Sequence, residues 1–487
     1  MVVGLVALAV GLAAQAAAHA GDLVLAFWDA AAHLDIARRV VDSTTPGLQM
    51  LGTVWLPVPH LLYLPFTLID PWWWSGFAGG IVGLAAFVAT AIAVHDIVRR
   101  HAGGHWPAMI AAAVVILNPS LLYLQVTAMT EPLLLAFLGG SVALVDRWWH
   151  DTDRTAALWL AGLLAALAVG SRYDGWFYVA VATPAVLWRR RHLGDAARFA
   201  VFPALMVGAW LAYNQHFFGD LLEFQRGIWS AASQQADLAE RGLLPTKGAP
   251  LLGLAYYAGA AGLTAGWLVL VAGLAGTATA LRRDGRVALL LLWSALPFNL
   301  LALWAGQSVI ALPWTDPAGV LNVRYGIMLL PALAVGIGLG INRLARRRGT
   351  LLAAGAVGVM QLAFWLWQPP SQVGALREGL AIRDGDRRQM NASRWLERHY
   401  DRGRVLVAPA VNVSPRSRIA LRDRVYPWTW QLGDAALARP AAVVDWVIVD
   451  RQQPGDPVAV AVAADTTFQR QFLLAHEEQG LEIWQRR

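Results

Sequence analysis

Long apolar stretches separated by short charged ones recur along most of the chain. A helix needs roughly 20 mainly apolar residues to cross about 30 Å of hydrocarbon. This pattern predicts an all-α polytopic membrane domain with about eleven spans. The predicted spans are 2–20, 75–97, 106–122, 127–145, 155–170, 175–188, 199–218, 255–281, 287–308, 321–342 and 350–368.

A further apolar stretch, 51–69, contains prolines at positions 57, 59 and 65. Proline removes backbone donors, and the resulting gaps in helical hydrogen bonding are costly in lipid. We therefore predict a juxtamembrane or re-entrant element here. Together with a predicted helix over 27–39, it places juxtamembrane helices in a first outer loop, 21–74.

The composition changes at Gln368-Pro369-Pro370, where charged and mixed sequence begins. Short apolar runs at 405–408 and 443–449 alternate with turn-forming and helix-forming segments, which predicts a small α/β domain. The expected division is a membrane domain, 1–368, and an extracytoplasmic soluble domain, 369–487. Two roles stay open for the soluble domain, a cap that controls substrate access and a surface that binds the acceptor.

Arginine clusters set the predicted orientation, because basic residues flank membrane spans on the cytoplasmic side. With 51–69 left out of the spans and the N-terminus cytoplasmic, every cluster faces the cytoplasm. The first segment ends in Ala18-His19-Ala20, a potential signal-peptidase site, but no basic region precedes it, which favours a retained helix. We expect a multi-pass inner-membrane protein with its active site and C-terminal domain outside. The clusters lie at 99–100, 189–191, 282–283 and 346–348.

Composition narrows the class of protein. The chain is 57% hydrophobic and 15% charged, well below the roughly 25% charge of a soluble protein. Its net charge of +7 resides largely in the arginine clusters, so we expect no nucleic-acid partner. The absence of cysteine excludes disulfides, thiolate metal sites and cysteine nucleophiles.

Two acidic residues stand out, because an ionisable group at a helix end in a membrane protein is costly unless it is paired or hydrated. Asp29 shares a helical face with His33, and it is either a partly desolvated general base or a carboxylate facing the helix dipole. Glu131 follows Thr130 in a long apolar stretch. It is either functional or an acid that stabilises the free amides of a helix start.

Two arginines complete the candidate set. Arg172 lies with Tyr173 and Asp174 in a predicted outer turn, where it either binds a ligand or pairs with Asp174. Arg324, followed by Tyr325, is predicted at a helix start, the wrong end for a cation. A guanidinium suits phosphate binding. Because the topology puts these arginines on the same membrane face as Asp29 and Glu131, the set suits chemistry on a lipid-linked phosphate ester.

The order of these features carries a family likeness over about residues 1–370. Asp29 is followed by the proline-broken element Gly52-Thr53-Val54-Trp55-Leu56-Pro57-Val58-Pro59-His60, then by Thr130-Glu131-Pro132-Leu133 and by Arg324-Tyr325. This order resembles the GT-C membrane glycosyltransferases. Within them it resembles the protein O-mannosyltransferase and aminoarabinose-transferase branch.

The resemblance implies inverting transfer of a sugar from a polyprenyl-phosphate donor to a glycan, lipid or protein acceptor at the outer membrane face. Asp29 would be the general base or position the acceptor, and Glu131 would assist in the acceptor site. Arg324, with Arg172 and His60, would hold the carrier phosphate. Two departures are an alanine after Asp29, where many members have glutamate, and the absence of a lysine before the proline-broken element.

Metal binding and two other functions are alternatives to this interpretation. Asp29, His33 and Asp35 are potential ligands of a divalent metal. However, Asp35 lies six residues after Asp29 on a different part of the helical wheel, so no metal ligands are assigned. A transporter or flippase for a lipid-linked or anionic substrate is the main alternative, and an inactive scaffold is a third. Polar residues gathered at one face, without a detectable repeat, favour the enzyme over the transporter.

Overall fold

The chain forms two compact units in the computed structural model. The structure describes residues 1–344 apart from 103, 229, 282–285, 316 and 317, residues 355, 358 and 359, and residues 372–487 apart from 386, 430 and 454. We call residues 1–21, 53–62 and 80–380 the membrane unit. The C-terminal unit comprises residues 22–52, 63–79 and 381–487.

Helices occupy ten of the predicted spans, and the eleventh, 350–368, lies largely outside the described residues. The arginine clusters 282–283 and 346–348 lie outside them as well. The helices from the N-terminus to residue 385, apart from those of the first outer loop, are Val2–Ala20, Phe77–His101, His105–Ile116, Pro119–Leu124, Glu131–His150, Thr155–Val169, Asp174–Arg190, Leu193–Phe218, Glu223–Arg226, Ala231–Glu240, Pro250–Ala265, Trp267–Ala280, Arg286–Leu292, Ala295–Trp304, Leu330–Leu344 and Gly374–Gly385.

Several of these segments are long and apolar enough to cross a membrane. In the described part of the chain five segments meet this test, and a bent helix pair makes a sixth if it counts as one span. The protein is therefore a multi-pass membrane protein. The five are Val2–Ala20, Phe77–His101, Leu193–Phe218, Val287–Trp304 and Val323–Ile341.

The predicted span 255–281 is not one straight helix. It consists of the helices Pro250–Ala265 and Trp267–Ala280, which meet at an angle of 111°. Gly266 between them has φ +97°, a backbone conformation that residues with a Cβ rarely adopt. The Trp267 ring packs against Gly262, where a Cβ would lie only 2.6 Å from the ring. Glycine at both positions permits the bend.

Small and amide side chains hold helices of the membrane unit together. A Cβ at Gly276 would collide with the backbone of Gly336, so the helices Trp267–Ala280 and Leu330–Leu344 approach closely there. In the first helix, Gln15 donates hydrogen bonds to Gly80 O over 2.7 Å and to Gln125 Oε1 over 3.2 Å. Such buried amide pairs join membrane helices without a charge. The first helix thus packs as part of this unit.

The C-terminal unit contains a five-stranded mixed sheet with strand order β2-β1-β3-β5-β4. β2 and β3 flank β1 in parallel, whereas β3, β5 and β4 pair in antiparallel fashion. β1 and β3 coincide with the two predicted apolar runs, and both are fully buried. The predicted α/β character is confirmed. The strands are β1 (Val405–Val407), β2 (Arg424–Val425), β3 (Trp446–Asp450), β4 (Phe472–Glu478) and β5 (Leu481–Arg486).

Most of the predicted first outer loop folds with this sheet in the C-terminal unit. Asp22 forms ion pairs with Arg394 and Arg416, and Asp42 lies 3.1 Å from Arg422. The loop contains the helices Trp28–Arg39 and Asp70–Trp74, and the helix Pro57–Thr67 begins in the membrane unit. The remaining helices of the unit are Arg387–His399, Leu432–Ala438, Pro440–Val443, Pro457–Ala464 and Phe468–Gln471.

Candidate functional site

Glu131 is the first residue of the helix Glu131–His150 and is completely buried. Pro132 follows it, where a missing backbone N–H does no harm. One carboxylate oxygen, Oε1, lies 3.2 Å from Nη1 of Arg172 and 3.3 Å from Nε of Arg324. The structure therefore brings these three predicted site residues together, and a single carboxylate joins both guanidinium groups.

Arg172 lies in the turn between the helices Thr155–Val169 and Asp174–Arg190, as the sequence predicts. Its Nε donates to Asp174 over 3.1 Å, and its Nη1 donates to Thr130 over 3.1 Å. Asn299 donates in turn to the other oxygen of Asp174 over 3.3 Å. Burial opposes the charge of Arg172, but the carboxylates of Asp174 and Glu131 outweigh it and raise the pKa of the guanidinium.

Arg324 lies in a 3₁₀ helix, Val323–Leu329, rather than in the predicted α-helix, which begins only at Leu330. Asn322 precedes it with φ +54°, and this left-handed residue redirects the chain into the tighter turn. The Tyr325 ring centroid lies 5.2 Å from the guanidinium carbon of both Arg172 and Arg324. Contacts of this kind stabilise a cation over an aromatic face.

Glu378 is the main residue that sequence reasoning missed. Its carboxylate forms an ion pair with the guanidinium of Arg324 and accepts hydrogen bonds from the backbone N–H of Asn322 over 2.9 Å and of Arg324 over 3.1 Å. Its burial raises the carboxyl pKa above the ordinary value, although Arg324 opposes that shift. One signal was available, because Glu378 shares a helical face with small residues in Gly374–Gly385.

We call Glu131, Arg172, Asp174, Arg324 and Glu378 the charge cluster. It contains two guanidinium groups and three carboxylates, and the most exposed of its side chains, Arg172, is 18% exposed. Buried charges persist only when they are paired and hydrogen-bonded, which is the arrangement found here. Two fixed guanidinium groups can bind an anion, but only in competition with carboxylates already present.

The proline-broken element lies against the turn that carries Arg172. The backbone N–H of Val58 donates to Gly170 O over 2.9 Å, and the hydroxyl of Tyr173 donates to Val54 O over 3.5 Å. The Tyr173 ring also stacks on Phe224, with centroids 5.4 Å apart. His60 is buried in the helix Pro57–Thr67, and its phosphate-binding role remains a prediction.

The other predicted residues belong to the C-terminal unit. Asp29 lies in the first turn of the helix Trp28–Arg39, and His33 is buried one turn later. Asp35 accepts hydrogen bonds from Arg424 over 2.8 Å and from Trp73 over 2.9 Å, while burial raises its carboxyl pKa. Within the described chain, these three residues do not form a group with metal-ligand spacing.

The chain matches no known protein-family model and no curated protein sequence. Solved structures do match. ArnT from Cupriavidus metallidurans bound to undecaprenyl phosphate aligns with TM-score 0.60 and 13% identity over 97% of each chain. Its apo form aligns with TM-score 0.57 and 14% identity over 93% of this chain and 92% of ArnT. The oligosaccharyltransferase of Archaeoglobus fulgidus, with zinc and sulfate, gives TM-score 0.47 at 12% identity over 99% of this chain and 73% of its own.

The match to ArnT over nearly the whole of both chains shows a shared fold. The chain therefore has the fold of the ArnT structures, as the sequence resemblance implied. At a sequence identity this low, the match supports a shared fold but says nothing about the substrate.

Proposed function

We propose that this protein transfers a sugar, with inversion, from a polyprenyl-phosphate donor to an acceptor at the extracytoplasmic face of the membrane. The observation that carries the proposal is the convergence of two buried guanidinium groups, Arg172 and Arg324, on Glu131. The GT-C fold supports it, since the ArnT structure that shares this fold has undecaprenyl phosphate bound.

The proposed reaction is a single displacement. An acceptor nucleophile attacks the anomeric carbon, the bond from that carbon to the phosphate oxygen breaks, and polyprenyl phosphate leaves. Arg172 and Arg324 stabilise the charge that develops on the phosphate. Asp29 takes the proton of the nucleophile, a role that rests on the family resemblance. Glu131 acts as a positioning residue, because its carboxylate fixes both guanidinium groups.

The number of charges in the charge cluster gives Glu378 a part in donor binding. The charge cluster already has three carboxylates against two guanidinium groups, so a bound phosphate would add a further negative charge to a buried site. The repulsion between a phosphate and a carboxylate about 4 Å apart is a few kcal/mol even at an effective dielectric constant of about 20. Donor binding therefore requires that Glu378 leave Arg324 or take up a proton.

An apolar groove in the membrane unit fits the lipid part of the donor. Its volume is about 490 Å³, and its lining includes Phe177, Leu274, Trp293 and Pro297. Phe177 lies one helical turn after Asp174, and Pro297 lies two residues before Asn299, the hydrogen-bond partner of Asp174. The groove is thus lined by the two helices that carry Asp174 and Asn299.

The direct test is sugar transfer by the purified full-length protein in liposomes, supplied with labelled polyprenyl-phosphate sugars. We expect transfer to an acceptor fraction with wild type and its loss in Arg324→Gln. Arg191→Gln, an exposed arginine in a predicted cytoplasmic cluster, serves as the matched control. Equal transfer by Arg324→Gln and the control would contradict the assignment of the site.

One observation favours the second candidate, a flippase. Transporters often contain discontinuous helices, and the pair that meets at Gly266 is bent by 111°. The same liposomes distinguish the two activities. A flippase moves labelled polyprenyl-phosphate sugar between leaflets and leaves the bond from sugar to phosphate intact, whereas the enzyme releases polyprenyl phosphate.

A further inference from the structure

A second group of ionisable residues lies far from the charge cluster. His101 is the last residue of the helix Phe77–His101, and Asp146 and His150 lie one turn apart at the end of Glu131–His150. The latter helix has 20 residues and begins at Glu131, so its two ends are about 30 Å apart. This His–Asp–His group is therefore separate from the proposed phosphate site.

The three side chains present ligand atoms at close range. Nε2 of His101 lies 3.1 Å and 3.0 Å from the two carboxylate oxygens of Asp146. Nδ1 of His150 lies 3.9 Å from Oδ1 of Asp146, and one ligand atom from each residue falls within 4.8 Å of the others. Tetrahedral zinc with bonds of about 2.0–2.2 Å separates its ligands by about 3.3–3.5 Å. The observed distances of 3.0 Å to 3.9 Å bracket that spacing, and the His150 ring is the part that has to move.

One oxygen of Asp146, Oδ2, pairs with an arginine, and the other, Oδ1, faces the two histidines. Arg100 lies 3.1 Å from Oδ2, and Asp96 lies 3.1 Å from Arg100 and 2.9 Å from Arg147. The charges of these two arginines and two aspartates therefore balance. A divalent ion bound at Oδ1 would share this carboxylate with Arg100, which holds Oδ2.

Burial shows which side of the group an ion would enter. Asp146 is completely buried and the His101 side chain is 5% exposed, whereas the His150 side chain is 46% exposed. Nδ1 of His150 donates a hydrogen bond to the backbone oxygen of Asp146 over 2.8 Å, so the ring has to leave this bond, or present Nε2, when it binds an ion. Asp146 and His101 are therefore held in place, whereas His150 can turn to bind an ion that enters from solvent.

We propose that His101, Asp146 and His150 bind Zn²⁺ and so join the ends of two membrane helices. Imidazole nitrogens and a single carboxylate oxygen are ligands that zinc prefers, while Mg²⁺ and Ca²⁺ favour sites made of oxygen. The role is structural, because the group lies far from the proposed chemistry. The inference does not depend on the proposed sugar transfer.

The test is zinc binding by the full-length protein in detergent, purified with an affinity tag that contains no histidine and treated with a chelator. We expect one Zn²⁺ per chain by mass spectrometry of metal content and by calorimetric titration with ZnCl₂, together with a higher thermal midpoint. MgCl₂ at the same concentration should change neither quantity.

His150→Ala is the decisive variant, because this half-exposed side chain can be removed without opening the buried interior. It should weaken zinc binding at least tenfold and abolish the rise in thermal midpoint, while His216→Ala, an exposed histidine of another helix, should behave as wild type. If wild type binds no stoichiometric zinc, or if His150→Ala binds it as tightly as wild type, the group is only a hydrogen-bonded ion-pair network and the inference is wrong.

Discussion

Arg324 and Glu378 form a buried ion pair although 54 residues separate them in the chain. The backbone N–H groups of Asn322 and Arg324 donate to the same carboxylate. A guanidinium with two convergent N–H groups is an arrangement that also binds phosphate. Glu378 thus occupies the place that the proposed function gives to the carrier phosphate.

Glu378→Gln should strengthen binding of polyprenyl phosphate. The amide removes one negative charge from the charge cluster but still accepts a hydrogen bond from backbone N–H. Since like charges a few Å apart repel by more than 1.4 kcal/mol at an effective dielectric constant of about 20, we expect at least a tenfold gain in affinity. Microscale thermophoresis in detergent measures it. Glu240→Gln, at an exposed glutamate, is the matched control, and an unchanged affinity in Glu378→Gln would show that Glu378 does not compete with the ligand.

Donor binding should depend on pH through the same residue. Burial raises the pKa of Glu378, so its neutral form persists above the ordinary carboxyl range, and Arg324 limits the shift. Because the neutral form admits the phosphate, donor affinity should fall as the pH rises through this raised pKa. A sugar phosphodiester carries one fixed charge, so the donor itself does not titrate in this window. Titrations of wild type and Glu378→Gln at several pH values test the idea, and an equal pH dependence in both proteins would refute it.

Arg324→Lys should disrupt the site although the charge is kept. The guanidinium contacts Glu131 through Nε and Glu378 through Nη1, and an ammonium group is a single point that cannot reproduce this geometry. We expect at least a tenfold loss of donor affinity and a destabilisation of roughly 3 kcal/mol, the cost of leaving a buried carboxylate unpaired. Arg154→Lys, in an exposed pair with Asp151, should change little. Thermal unfolding and donor titration in detergent provide the two readouts.

Asp29→Asn should abolish sugar transfer without loss of protein from the membrane. A positioned general base contributes about 10²–10⁴-fold to a rate, so the variant should retain at most about 1% of wild-type transfer. Donor affinity should stay unchanged, since Asp29 is assigned to the acceptor and not to the phosphate. Asp153→Asn, at an exposed loop position, is the control. Wild-type transfer by Asp29→Asn would exclude Asp29 as the base.

Local sequence was sufficient to find much of the candidate site. Glu131-Pro132 reads as a helix start, and Arg172 next to Asp174 reads as a turn, because both features depend on neighbouring residues. The topology then predicted one membrane face for Glu131, Arg172 and Arg324, and in the structure Glu131 contacts both arginines. This prediction worked although the residues are far apart in sequence, because few helix ends lie on one face of the membrane.

Ion pairs between residues far apart in the chain could not be predicted from local sequence. Glu378 follows the change in composition at 368–370 and was therefore assigned to the soluble domain, yet it pairs with Arg324 in the membrane unit. Likewise, no local pattern indicates that Asp22 pairs with Arg394 and Arg416, which lie 372 and 394 residues away. A charged surface residue has many potential partners, and only the packed chain selects among them.

The bend at Gly266 was also hidden, because glycines recur throughout 255–281 and only one of them turns the chain. We predict that Gly266→Ala destabilises the membrane unit by about 2 kcal/mol, since alanine is strained at φ +97°. Gly208→Ala is the matched control in the helix Leu193–Phe218, where an added Cβ would meet no described atom within 4 Å. Alanine there should be neutral or stabilise by up to about 1 kcal/mol. Thermal unfolding in detergent compares the two variants, and equal midpoints would mean that strain at Gly266 does not limit stability.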